Sequence, residues 1–237
     1  MDAVTEESIK AVIAMLHQNL SEEVTVDDMA HVARFSKFHF SRIFQRATGV
    51  SPGRFLSALR LQEAKRLLLE SSHSVTEICH IVGYSAVGTF SSRFKSMVGM
   101  PPVDYRQNGG FRPAPLVSDG PTVIRGVITV APDSRDDPTF VGLFPRRIPE
   151  GLPVLPTMVP AAGPFELTGV APRDCYVLAR SYPKHGNGSI AVYGPISARP
   201  DSPANVVLRL RPIEEVDPPI LPVLLDRESS KAVGLPV

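Results

Sequence analysis

The sequence predicts α and β structure in separate domains, an all-α domain built from a duplicated helix–turn–helix unit followed by an all-β sandwich. Three observations carry that expectation. First, the stretch from Val26 to Pro52 is written again from Val75 to Pro102. Met29, Ala30, Val32, Ala33, Phe35, Ser36, Phe40, Phe44, Gly49 and Pro52 match Ile78, Cys79, Ile81, Val82, Tyr84, Ser85, Phe90, Phe94, Gly99 and Pro102. The offset is 49 residues up to Ser36 and Ser85 and 50 from Phe40 and Phe90 onward, so the second copy carries one extra residue at its turn. A repeat of this length reports a duplicated supersecondary unit. Second, apolar residues recur at three and four through this region and then give way to short alternating runs after residue 121. Third, only Pro52, Pro101 and Pro102 of the 24 prolines fall in residues 1–110. The remaining 21 exclude long helices from the second region and allow short strands with many turns.

Residues 5–20 predict a helix with Ile9, Val12, Ile13, Leu16 and Leu20 on one apolar stripe, bracing the first helix–turn–helix unit. Asp27 and Asp28 open the next, short helix, in which Met29, Val32 and Ala33 recur at three and four. Arg34 and Phe35 form the turn, and Ser36 is placed to cap the second helix. That helix buries Phe40, Ile43, Phe44 and Ala47, presents Lys37, Phe38, Ser41, Arg42, Gln45 and Arg46, and ends at Gly49. A helix so rich in long donors, held by a short predecessor, has the shape that enters a DNA major groove, although taken alone it fits a solvated helix of an ordinary bundle equally well. Ser51 and Pro52 then open a helix running to about Glu70, with Phe55, Leu59, Ala64, Leu67 and Leu68 apolar. Its roughly 18 residues span ~27 Å, enough to set two projecting recognition helices about one DNA turn, ~34 Å, apart. The second unit repeats the scheme: Ser74 caps a helix with Thr76, Glu77, Ile78, Ile81 and Val82, Gly83 and Tyr84 turn, and Ser85 starts a helix burying Phe90, Phe94, Met97 and Val98.

The strings SKFHFSRIFQRATGVSPGRFL, RLQEAKRLLLESSHSVTEIC and VGYSAVGTFSSRFKSMVGMPPVDYR, closing on Pro102, Tyr105 and Arg106, resemble the DNA-binding domain of the AraC/XylS family of bacterial transcription regulators. The resemblance covers residues 8 to about 108 and implies sequence-specific binding to double-stranded DNA, with two recognition helices in successive major grooves. Carried across residue by residue, the base-facing positions are Phe38, Ser41 and Arg42 in the first recognition helix and Val87, Gly88, Thr89 and Ser92 in the second. Phosphate candidates are Ser36, Lys37, Gln45, Arg46, Arg54, Ser85, Arg93 and Lys95. Arg60, Lys65 and Arg66 on the connecting helix join them by residue type, Arg60 being equally able to pair with Glu63. The sequence departs from the family where an arginine is common: Ser92 stands there, with Arg93 one place on, and Val87 and Gly88 have no side-chain hydrogen bond to offer a base. Arg42 can take guanine and Phe38 a thymine methyl, so direct readout is expected mainly from the first helix.

The net charge of +1 conceals a local excess, because Arg34 to Arg66 contains eight basic residues and a single acid, Glu63. The acids gather at Glu6, Glu7, Glu22, Glu23, Asp27 and Asp28, expected to face away from phosphate. Cys79 and Cys175 have no metal or redox spacing, and Cys79, at the place of Ala30 in the repeat, is expected to be a buried, inert thiol. No run approaches ~18 apolar residues and no signal peptide opens the chain, so a cytoplasmic protein without a membrane partner is expected.

The expected domains are residues 1–107, a linker at 108–121, and a proline-rich sandwich at 122–237. Apolar alternation marks strands at Thr122–Val130, Thr139–Phe144, Gly163–Thr168, Asp174–Tyr182, Ser189–Tyr193 and Asn205–Arg211. The string GPFELTGVAPRDCYVLARSY resembles the hairpin of carboxypeptidase regulatory-like, prealbumin-type sandwiches, and VVLRLRP their final strand. Phe140, Phe144, Phe165, Tyr176 and Tyr182 are core candidates ahead of pocket-lining ones. Arg146, Arg147 and the loop from Pro183 to Gly188 fit solvated turns better than an anion site. The apolar tail Pro218–Leu225 should dock on the sandwich, on the helical domain or on a second chain. Three roles remain for the second domain: a sensor of a small-molecule effector, an interaction or dimerisation module contacting RNA polymerase or another subunit, and an enzyme. The sequence disfavours the enzyme, since no nucleophile stands beside a base, and no metal or cofactor is expected.

Overall fold

The computed structural model describes residues 3–110, 120–131, 136–171, 173–183, 188–199 and 204–222. Among these described residues seven helices come first: α1 (Ala3–Gln18), α2 (Val26–Val32), α3 (Lys37–Thr48), α4 (Pro52–Glu70), α5 (Val75–Ile81), α6 (Val87–Val98) and α7 (Pro102–Gln107). Eight strands follow among the described residues: β1 (Thr122–Thr129), β2 (Thr139–Phe144), β3 (Leu155–Val159), β4 (Pro164–Val170), β5 (Arg173–Ser181), β6 (Ser189–Ala198), β7 (Ala204–Arg209) and β8 (Arg211–Pro212). The separation of helical and strand-forming regions expected from the periodicities is therefore observed.

In the helical unit, α1 buries Ile9, Val12, Ile13 and Leu16. The long α4 packs on α1, α2, α3, α5 and α7 and is buried almost all round, from Phe55 to Leu68. Each repeat has an aromatic centre. Phe44 lies 5.3 Å from Phe40 and 5.4 Å, edge-on, from Phe55, while Phe94 lies 5.8 Å from Phe90 and 5.5 Å, edge-on, from Tyr105. Phe55 and Tyr105 are 50 residues apart, so α7 is a shortened copy of α4, each opened by a proline in its first turn. The repeat also extends further toward the N-terminus than its hydrophobic pattern suggests. Thr25 and Asp28 form a capping box on α2, as Ser74 and Glu77 do on α5, at the same 49-residue offset.

These boxes carry a pH dependence. The Ser74 backbone N–H, and then its hydroxyl, hold the Glu77 carboxyl below its ordinary value. A depressed carboxylate contributes stability that is present above its unfolded pKa and lost as pH falls through its folded one. Glu77→Ala should therefore lower the thermal midpoint at neutral pH, and the gap from wild type should close on acidification in parallel melts.

The α2 stripe is narrower than expected: Val32 and its repeat partner Ile81 are each 41% exposed. Ser36 and Ser51 occupy N-cap positions but make no side-chain capping bond. The extra residue of the second turn displaces the next cap. Phe90 N donates to Ala86 O, so α6 begins at Val87 and Ser85 lies outside it, not at its start.

The strands form a three-stranded sheet, β4-β1-β7, and a five-stranded sheet, β3-β2-β5-β6-β8. β1 runs antiparallel to β4 and parallel to β7. One apolar cluster joins the inner faces, including Ile124, Leu167 and Leu208 from the first sheet and Val141, Val177 and Ile196 from the second. Phe140, Phe144 and Phe165 are buried, whereas Tyr176 and Tyr182 are only half-buried. The pattern missed β3 and β8. β3 contains Pro156 and lies at a sheet edge, where a missing backbone donor is tolerated. Most of the expected linker, at 111–119, and the loop at 184–187 lie outside the described residues. So does the tail from residue 223, but its earlier part is described: Glu214–Leu221 belongs to the helical unit, with Leu221 buried.

Candidate nucleic-acid interface

Each recognition helix is set by a turn that reverses the chain in a few residues. In the first unit Arg34 adopts φ 58° and Phe35 N donates to Ala30 O at 3.0 Å, after which α3 starts. Phe40, Phe44 and Thr48 fix its inner face, and Gly49, at φ 79°, closes it by donating to Gln45 O. The opposite face is open. Phe38 is 88% exposed, Arg42, Gln45 and Arg46 are exposed, and Ser41 is half-buried between them. Phe38, Arg42 and Gln45 follow one another at spacings of four and three, so they share a face. A large aromatic this exposed, one turn from an arginine, is poorly explained by packing within the chain.

On α6, Phe90, Phe94, Met97 and Val98 are buried, while Gly88, Thr89, Ser92, Arg93 and Lys95 are exposed and Val87 is half-buried. Ser85 is exposed on the preceding turn. A Cβ at Gly88 would meet nothing within 4 Å, so packing does not demand glycine there. Arg93 donates through Nε to Ser57 Oγ at 3.2 Å, which ties α6 to α4.

The basic residues sort differently from their composition. Ser36 and Arg54 are exposed. Lys37 is exposed but paired at 2.6 Å with Asp27, so this acid stands beside the recognition helix and not away from it. An exposed pair of this kind contributes little, ~0–1 kcal/mol, and can exchange for a phosphate. The three further candidates on α4 also have partners within the chain. Arg66 bridges Glu63 and Glu70 at 2.6 and 2.7 Å, and those carboxylates raise its pKa further. Lys65 is buried and donates to Leu221 O at 2.9 Å. Arg60 donates to the Leu20 and Glu22 carbonyls and does not pair with Glu63. Sequence reasoning also missed Thr25, although the spacing Thr25-x-x-Asp28 was a readable capping signal.

Cys79 is buried, its thiol 3.5 Å from Tyr84 O, and burial pushes its pKa up, as expected of an inert packing residue. Among the described residues no group of three His, Cys, Asp or Glu side chains could hold a metal ion, and no helix is long and apolar enough to cross a membrane.

Comparison with known proteins places these helices. A family described as a helix–turn–helix domain matches residues 29–108. The chain is 34% identical over 96 residues to YobQ, an HTH-type transcriptional regulator of Bacillus subtilis, the match covering 40% of each chain. It is 31% identical over 100 residues to the TetD protein of transposon Tn10 from Escherichia coli, covering 42% of this chain and 72% of TetD. Among solved structures, an AraC-type DNA-binding-domain regulator from Chromobacterium violaceum is 25% identical, covers 46% of this chain and 96% of that one, and superposes with a TM-score of 0.43. The chain spans well under half the length of the first curated relatives it matches.

Proposed function

Since the chain belongs to the AraC-type family of helix–turn–helix, DNA-binding transcription regulators, we propose that it regulates transcription by placing α3 and α6 in successive major grooves of one duplex. The observation that carries this is the open face of α3, where Phe38 and Arg42 stand exposed one turn apart opposite an inner face packed by Phe40, Phe44 and Thr48, with Ile43 and Ala47 half-buried beside it. Arg42 is the group for a guanine edge and Phe38 for a thymine methyl, with Ser41 between them. Val87, Gly88, Thr89 and Ser92 line the base-facing side of α6, whose readout rests more on DNA shape. Ser36, Lys37, Gln45, Arg46, Arg54, Ser85, Arg93 and Lys95 hold the flanking phosphates and set register. The buried cluster between the two sheets is made of apolar side chains. That favours an interaction or dimerisation module over an effector sensor for the β region.

A salt titration of duplex binding by the full chain tests the reading. If Lys37, Arg46, Arg54, Arg93 and Lys95 all engage phosphate, log K should fall against log salt with a slope of about −4 to −5. No binding at low salt, or a slope near zero, would overturn it. Lys95→Ala should weaken specific and random duplexes alike and reduce the slope by about 1.

A further inference from the structure

The two helix–turn–helix units are not joined by α4 alone. Arg60, at the middle of that helix, donates through Nε to Leu20 O at 2.9 Å and through a terminal nitrogen to Glu22 O at 2.7 Å. Both carbonyls lie in the loop leading from α1 into α2, the entry to the first unit. The same guanidinium sits 5.9 Å from the ring centroid of Tyr84, in the turn of the second unit. Gly83, beside it at φ 84°, leaves no room for a side chain: a Cβ would run into Leu20 O and the Arg60 guanidinium. The Tyr84 hydroxyl lies 3.0 Å from Ser57 Oγ, which also accepts from Arg93 of α6. Half-burial pushes the pKa of Arg60 down, with Tyr84 acting in the opposite sense, but an arginine stays charged.

The turn of the first unit is built differently. The residue matching Gly83 is Arg34, which has the same left-handed backbone but is exposed. The duplication is broken here as well, where the entry loop of the first unit, the connecting helix and the turn before the second recognition helix meet on a single planar fork. A lysine ammonium, a compact charge on a flexible stem, lacks the rigid planar fork that holds two separate carbonyls in one fixed geometry beside the ring.

We propose that Arg60 is the positioning residue that fixes the separation and angle of the two recognition helices, and so makes the chain discriminate between half-site spacings. This rests on the DNA-binding reading above. One inserted base pair turns the second half-site by about 34° and moves it ~3.4 Å, which a rigid pair of helices cannot follow.

The test uses the full chain in two measurements. In the first, affinities are compared for a selected two-part duplex, the same duplex with one base pair inserted between its halves, and a single half-site. Wild type should lose about tenfold or more on insertion, a penalty of the size of a mismatched base pair. Arg60→Ala and Arg60→Lys should both bind the uninterrupted site more weakly, lose most of that spacing penalty, and match wild type on the half-site. In the second, spin labels at His39→Cys and Ser92→Cys report the α3–α6 distance without DNA, the native cysteines being buried. The distribution should be narrow with Arg60 present and broad in a folded Arg60→Ala. An unchanged width, or a spacing penalty kept in full by folded variants, would overturn the role of Arg60 whatever the DNA affinity. If wild type binds no duplex, the functional reading falls and takes spacing discrimination with it. A broadened distance distribution would then still assign the positioning role.

Discussion

Phe44→Ala should lower the stability of the full chain by ~3–5 kcal/mol in urea unfolding, the cost of emptying a fully packed aromatic site. Phe44 has no exposed surface and lies where α3 meets α4, against Phe40 and, edge-on, Phe55. Its neighbour along the helix supplies the control. Phe38 is 88% exposed, so Phe38→Ala should leave the unfolding midpoint nearly unchanged and weaken duplex binding. Two phenylalanines six residues apart on one helix would then separate cleanly into a residue that holds the helix and a residue that uses it. A Phe38→Ala variant with wild-type DNA affinity would remove the aromatic from the interface.

Arg42→Ala should cost ~1–3 kcal/mol on the selected site and relax discrimination at one base pair, with a smaller loss on random duplex. Electrophoretic or anisotropy titrations on the two duplexes at one salt concentration read this directly. Equal losses on both would make Arg42 a phosphate contact. Arg66→Ala is the matched comparison, because its guanidinium already bridges Glu63 and Glu70 on its own helix. That variant should leave both affinities as they are.

The contrast between Arg42 and Arg66 also shows what was legible in the sequence. Apolar periodicity and the repeat located α3, α4 and α6, and the offset of 49 then 50 foretold the longer second turn. Gly49 and the Ser74 cap read correctly because caps are local: every partner lies within a few residues. Residue type alone did not report that Arg60, Lys65 and Arg66 have partners within the chain. The partners of Arg60 and Lys65 are backbone carbonyls at Leu20 and Leu221, 40 and 156 residues away, and no local pattern reports a contact of that kind. Arg66 is different, since Glu63 and Glu70 stand at spacings of three and four, a local pattern that does report the pairing. In the β region the alternation located six strands, but β3 carries a proline and β8 has two residues, too short for any period. The parallel pairing of β1 with β7 joins segments some 80 residues apart, and sheet order of that kind is a property of the packed core.

The most direct test of the central claim is selection of binding sites from random duplexes by the full chain at fixed salt. The expected product is a two-part motif on one face of the duplex, its halves about 10 base pairs apart. The half under α3 should be sharply specified, with a guanine at the position lost in Arg42→Ala, and the half under α6 should be weaker and tolerant of substitution. A pool that stays random, a single uninterrupted half-site, or two halves of equal sharpness would contradict it. The first would remove sequence-specific recognition, the second the use of both helices by one chain, and the third the assignment of readout mainly to Phe38, Ser41 and Arg42.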